Sequence, residues 1–244
     1  MIYSYSQFLP APKSTFATRA FQNLEENIQQ ADFPCYYAKR ILPKNSLYVS
    51  FIEQYTDRED MFRQAMADFA AYAELERTPD VYRVFVLSID IDSCSWDEDN
   101  ALMWDFMRYL RAHDTEPVIE GMPDSPEDKR WSFSFMGMPW FFNLNSPNLT
   151  HRRSRNVTGV LSFILQRTDS FDKLLSDELD EDETESKRKI IRAEIRGRVG
   201  KYDGQPASPL LAGEAQNTGL IEWLQFHLPN HNSDAPQSKC PFHN

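Results

Sequence analysis

Cys35 is one of two places in this chain where residue types and spacing concentrate chemistry. It follows Phe33-Pro34, so a proline fixes the backbone just ahead of a thiol, and Lys39 and Arg40 follow within roughly one helical turn, where a positive field favours thiolate. The competing reading is a small buried cysteine, the common fate of that residue. The second place is Asn143-Leu144-Asn145-Ser146-Pro147, followed by His151-Arg152-Arg153-Ser154-Arg155-Asn156. On a strand Asn143 and Asn145 project from the same face. Arg152, Arg153 and Arg155 crowd into one short stretch, and planar guanidinium forks suit carboxylates bidentately. Anion binding is thus weighed there against ion pairing with the many acidic side chains.

The ending Lys239-Cys240-Pro241-Phe242-His243 adds a Cys-Pro pair, which resembles the short haem-regulatory motif. Other chemistries are disfavoured. His113, His151, His227, His231 and His243 form no HExxH or similar metal spacing. No nucleophile elbow is present, and the 8 glycines form no phosphate-binding loop. With 26 basic against 37 acidic side chains the net charge is −11, which argues against general nucleic-acid binding. No apolar run approaches the ~20 residues of a membrane helix, and the opening residues lack a basic segment followed by an apolar core. The 3 cysteines are an odd number, widely spaced, so the expectation is reduced thiols in the cytoplasm.

The elements that must position these residues read as α+β: a mainly antiparallel sheet of about five strands packed with helices in a single domain, 1–228, with a polar tail, 229–244, that carries the Cys-Pro pair. Capping boxes at Thr56–Glu59 and Ser95–Glu98 open helices with buried stripes Phe62, Ala65, Phe69, Ala73 and Met103, Phe106, Met107, Leu110. Pro79 ends the first of these runs. An earlier helix over about residues 15–30 carries Phe16, Ala20, Leu24 and Ile28 on one face. Alternation marks strands around Leu47–Phe51, Phe85–Ile89, Trp131–Phe135, Trp140–Asn145 and Val160–Leu165, with a turn at Met136-Gly137-Met138-Pro139. After Thr168 come a short helix, the acidic run Asp177–Glu185, and a basic helix over Lys187–Arg198 that Gly200 caps. The polar, proline-bearing residues from Pro229 onward are expected to be mobile or laid over the surface.

Taken in order, these pieces resemble the YqcI/YcgG family over most of the chain. The residues carrying the resemblance are Phe33-Pro34-Cys35, Trp104 with Leu110 and Asp114, Trp131-Ser132-Phe133-Ser134-Phe135, and Phe142-Asn143-Leu144-Asn145 with Pro147. They continue with Arg153-Ser154-Arg155-Asn156, Phe171-Asp172, the helix Ile190–Val199, Tyr202-Asp203-Gly204 and Cys240-Pro241-Phe242. Several members of that family are haem-dependent N-oxygenases. The resemblance therefore implies haem b, an amine or guanidine substrate of amino-acid type, and dioxygen or peroxide as oxidant. Where the characterised oxygenases carry Leu-His and His-Pro pairs, this chain reads Leu110-Arg111 and Ser146-Pro147, with His113 and His151 two and five residues further on. With haem implied, Cys35 is the expected axial ligand, since thiolate pushes electron density onto iron; His113, His151 and Cys240 are its competitors. Arg153 and Arg155 are then expected at the haem propionates, and Asn143, Asn145 and Arg152 at the substrate. A non-catalytic protein that binds haem or a small anion is the alternative.

Overall fold

Extended segments, several with apolar residues alternating at a period of two, form strands β1 (Tyr3–Ser4), β2 (Leu47–Ile52), β3 (Val84–Ile89), β4 (Phe133–Phe135), β5 (Met138–Asn145) and β6 (Ser162–Arg167). The computed structural model describes residues 1–11, 13–35, 38–78, 82–128, 130–170, 181–211, 221–234, 240 and 242. The strands form one mixed sheet in the order β1-β2-β3-β6-β5-β4. Every neighbouring pair is antiparallel except β2 and β3, which run parallel in the register Leu47↔Val84 to Ile52↔Ile89. A parallel pair needs a crossover, and helix α4 (Arg58–Leu75), between β2 and β3 in the chain, is that crossover. The mainly antiparallel α+β reading therefore holds, with one more strand than expected: β1 is two residues long, too short to show a period. The turn between β4 and β5 places both Met136 (φ 52°) and Gly137 (φ 66°) in the left-handed region, as a two-residue hairpin requires.

Helices cover both faces of the sheet. After α1 (Tyr5–Phe8), helix α2 (Thr15–Gln29) buries Phe16, Ala20, Leu24 and Ile28 as its spacing predicts, with the Ser14 side chain accepting the Ala17 N–H at 3.0 Å. Phe21, Leu24 and Ile28 pack with Leu47, Val49, Val84 and Val86 on one face. On the other face α4 and α5 (Trp96–His113) pack against Phe85, Leu87, Trp140, Phe142, Leu144 and Phe163. With helices on both sides every residue of β3 is buried. The cap of α4 is Asp57 rather than Thr56: Asp57 accepts the Asp60 N–H and Asp60 accepts the Thr56 N–H, each at 2.9 Å, so the reciprocal device sits one residue later. This helix ends at Leu75, ahead of the expected stop at Pro79, which lies outside the described residues. At α5 Ser95 accepts from Glu98 as expected, while Glu98 reaches back to the Cys94 N–H.

Two expectations are corrected. The basic helix expected over Lys187–Arg198, here α6 (Glu181–Asp203), begins within the acidic run and continues through Gly200, and the turn out of it falls at Gly204, φ 68°. Gly200 serves close approach instead, because a Cβ there would stand 3.2 Å from the Ala207 nitrogen and the Gln205 oxygen of the returning chain. The C-terminal residues are not laid loosely over the surface where they are described: Cys240 is 1% exposed, and Phe242 packs within 6.2 Å of Trp104, Trp131 and Phe133. Apolar contact outweighs the polar composition of that stretch. The short helix after Thr168, Phe171-Asp172, the run Asp177–Asp180, Pro241 and the side chains of Lys39 and Arg40 lie outside the described residues. No described helix is long and apolar enough to cross a membrane.

Candidate functional site

β5 outruns β4, and residues 222–229 take up the vacated edge, with the Leu144 N–H donating to the Phe226 carbonyl at 2.8 Å. Several polar side chains converge at this edge. Arg155 ends a 3-10 turn (Arg153–Arg155) and is buried; its Nη1 donates to Asn143 Oδ1 at 2.5 Å and its Nη2 to the Gln225 carbonyl at 2.9 Å. Asn145 donates to Asn143 Oδ1 at 2.9 Å and accepts the Val157 N–H at 3.3 Å, so the two asparagines do share a face and one network. Arg152 is 0% exposed; its Nε donates to the Pro229 carbonyl at 2.6 Å and its Nη2 to Asn232 at 2.9 Å, with Asp203 3.7 Å from Nη1. Burial pulls both guanidinium groups below their ordinary value, Arg155 to about 9 with Arg152's charge adding to the effect. Both still carry a positive charge at neutral pH.

The first turns of α5 bring Trp96 and Trp104 to Trp223 and His227 of the edge segment, while Asp99 of the same helix meets the loop after β5. Asp99 is buried, and its Oδ2 accepts from Ser146 Oγ and from Asn148 Nδ2 at 3.0 Å. His227, 2% exposed, lies between indoles: ring centroids stand at 5.4 Å to Trp104, 5.8 Å to Trp223 and 6.2 Å to Trp96. Burial, reinforced by the charge of Arg155, pulls its imidazole down to about 3, so the ring is neutral. Among the described residues nothing pairs with His227 Nδ1, Asp99 Oδ1 or the Nε1 atoms of Trp96, Trp104 and Trp223, all buried. Each such group costs about 1–3 kcal/mol in a fold that leaves it without a partner. Buried atoms of this kind, gathered among apolar rings, mark the place where the polar balance of the fold is least complete.

The other residues expected to act are placed elsewhere. Cys35, half-buried between α2 and α3 (Ala38–Ile41), packs on the cluster of Phe33 and Tyr202, on the α2 face of the sheet. Arg153 points the same way, its guanidinium 4.3 Å over the Tyr202 ring. His113 is exposed at the far end of α5, about 25 Å along the axis from Trp96, its Nδ1 2.8 Å from the Tyr109 carbonyl. His151 is exposed and its ring lies tilted against His231, centroids 4.3 Å apart. Cys240 lies on the α4/α5 face, its thiol pushed up to about 11 mainly by burial, which keeps it protonated. No disulfide joins the cysteines, and among the described residues no three His, Cys, Asp or Glu side chains gather to hold a metal ion. Of the residues expected at a site, the structure brings Arg152, Arg155, Asn143 and Asn145 together; Trp104 is singled out in the sequence only by resemblance, and His227, Asp99, Trp96 and Trp223 are assigned to no site there. The signal for His227 was its setting, a lone polar ring in Trp223-Leu224-Gln225-Phe226-His227-Leu228.

Comparison with known proteins follows the same lines. The chain is 32% identical to the Streptomyces lavendulae protein named "Putative N(omega)-hydroxy-L-arginine synthase DcsA", with 91% of this chain and 82% of that protein covered. It is 29% and 21% identical to the uncharacterized Bacillus subtilis proteins YcgG and YqcI, with 91% of this chain and 86% of each of them covered. No solved structure matches. The model of the YqcI/YcgG family matches residues 24–243, and this chain belongs to that family.

Proposed function

We propose that this protein oxidises a nitrogen of a small amino-acid-like amine or guanidine, with haem b as cofactor and dioxygen or peroxide as oxidant. The name of the Streptomyces relative supports the reaction class and is the observation that carries this reading. With peroxide the balance closes directly: N–H plus H2O2 gives N–OH plus water. With dioxygen an external donor supplies two electrons and two protons.

As packed, the rings at the β5 edge leave no room for a haem: His227, Trp104 and Trp223 are buried against one another, and Arg152 and Arg155 are held by backbone carbonyls and asparagines. The haem of this reading rests on the family resemblance and would take a place outside these packed rings. When bound, haem supplies an iron that activates the oxidant. The protein's own part is to hold Arg155 in place through Asn143 and to offer Asp99 Oδ1 as an acceptor for an ammonium or guanidinium. A second reading, a non-catalytic binding protein, draws on Ser146: where family oxygenases carry a histidine, this chain has a buried serine tied to Asp99. Turnover separates the two. Protein reconstituted with haemin and supplied with peroxide, or with dioxygen and a reductant, is incubated with L-arginine, agmatine and simple amines, and N-hydroxylated product is sought by mass spectrometry. Product above the protein-free haemin control supports the oxygenase; saturable haemin binding without any such product supports the binder.

A further inference from the structure

We propose that His151 and His231 form a surface site for a divalent transition-metal ion of the copper and zinc class. The site is separate from the packed rings at the β5 edge and does not depend on the nitrogen-oxidation reading. His151 stands in the loop after β5 and His231 in the segment after Pro229, and both side chains are exposed. Their ring centroids are 4.3 Å apart, with 39° between the planes. The hydrogen bonds of both residues run through the backbone: the His151 N–H donates to Asn230 Oδ1 at 2.8 Å and the His231 N–H to Asp234 Oδ2 at 2.9 Å. Among the described residues the ring nitrogens are left open to a ligand. A metal ion holds an imidazole nitrogen at about 2.0–2.1 Å, which puts the centroids of two neighbouring imidazoles on one ion roughly 4.5–5 Å apart. The observed spacing falls short of that by a few tenths of an ångström, a difference that small rotations of two exposed side chains supply.

The backbone beneath the two rings is cross-tied, so the pair is held together before any ion arrives. Gln205 Nε2 donates to the His151 carbonyl at 2.5 Å and to the Asn230 carbonyl at 3.1 Å, and Asn230 Nδ2 donates to Thr150 Oγ1 at 3.4 Å. Arg152, beside His151 in the chain, grips the Pro229 carbonyl and Asn232 on either side of His231. Asn232 Nδ2 in turn donates to the Pro206 carbonyl at 2.7 Å. Two donors fixed at nearly the right separation lose little freedom on chelation, which is the advantage of a prepared site. Among the described residues no third His, Cys, Asp or Glu joins them, so water or another ligand completes the coordination. Imidazole donors select copper, zinc and nickel ions over magnesium or calcium, and Cu2+ binds tightest of the series. A bound ion would fasten the segment after Pro229 to the loop after β5.

The test uses untagged wild type, His151→Gln, His231→Gln and, as a control, His113→Gln, each titrated with Cu2+ and separately with Zn2+ by calorimetry at pH 7.5. Wild type and the control are expected to bind one equivalent saturably and with equal affinity. Each of the other two substitutions should weaken binding at least tenfold. The EPR spectrum of the Cu2+ form should show nitrogen couplings from two imidazoles in wild type and lose them in both variants. Zn2+ should also protect His151 and His231, but not His113, from modification by diethyl pyrocarbonate, as peptide mapping reads out; this needs no variant to fold. Wild type without saturable binding of either ion overturns the proposal. So does equal binding by wild type and the two folded variants, which would mark an adventitious ion only, and so does the lack of protection. None of these results touches the nitrogen-oxidation reading, which turnover tests by itself.

Discussion

Changing pH probes the burial of His227 without any ligand. In the unfolded chain its imidazole titrates at its ordinary value of 6.5, and in the folded protein at about 3. Between those values the unfolded state binds one more proton than the native state, so falling pH favours unfolding. The sign follows from a base whose folded value is depressed: its neutral form is free of penalty above 6.5, and stability is lost progressively as pH drops toward 3. One proton is worth about 1.4 kcal/mol per pH unit. From pH 6.5 to pH 5, before most carboxylates titrate, the loss traceable to His227 is about 2 kcal/mol. Urea unfolding at pH 7, 6 and 5, wild type against His227→Gln, isolates it, because every other titrating group is common to both proteins. The wild type should lose about 2 kcal/mol more than the variant over that range. Parallel curves for the two proteins would refute a buried neutral imidazole, and with it the packing around that ring.

Other outcomes follow from the same geometry. Arg155→Met leaves the Gln225 carbonyl without its donor and frees one bond of Asn143, and should cost about 2–5 kcal/mol in denaturant unfolding. A loss under 1 kcal/mol would place that guanidinium in solvent. Gly204→Ala forces a side chain into a left-handed φ of 68°, at about 1–2 kcal/mol, seen as a lowered Tm; an unchanged Tm would contradict that backbone. A thiol reagent at pH 8 should modify exposed Cys94 rapidly and buried Cys240 only on unfolding, as peptide mapping will tell. Rapid native labelling of Cys240 would show that the C-terminal residues do not pack on Trp104.

What could be read from the chain beforehand was local. Stripes such as Met103, Phe106, Met107 and Leu110 land fully buried because helical period and burial are one signal, and the alternation in Phe85–Ile89 and Trp140–Asn145 places strands correctly. Ends were less legible. An aspartate one residue on from Thr56 accepts the capping hydrogen bond, and Gly200 serves a close approach rather than a helix stop. The arginine cluster was legible as a concentration of charge, but its division was not: Arg152 and Arg155 turn inward while Arg153 covers Tyr202. Nor does any local pattern reveal that residues 222–229 return to the open edge of β5, the long-range contact that brings His227 to Trp96 and Trp104. The same holds for Cys240, whose polar neighbours mask its burial.

The central claim, nitrogen oxidation, meets its most direct test in isotope transfer. Haemin-reconstituted protein is given L-arginine or a simple amine with oxygen-18-labelled peroxide, and the product is analysed by mass spectrometry. The account predicts an N-hydroxylated product carrying the label, at a yield that falls at least tenfold in Asp99→Asn and Arg155→Met proteins that retain haemin. Saturable haemin binding with no labelled N–OH product for any amine or guanidine offered would contradict it.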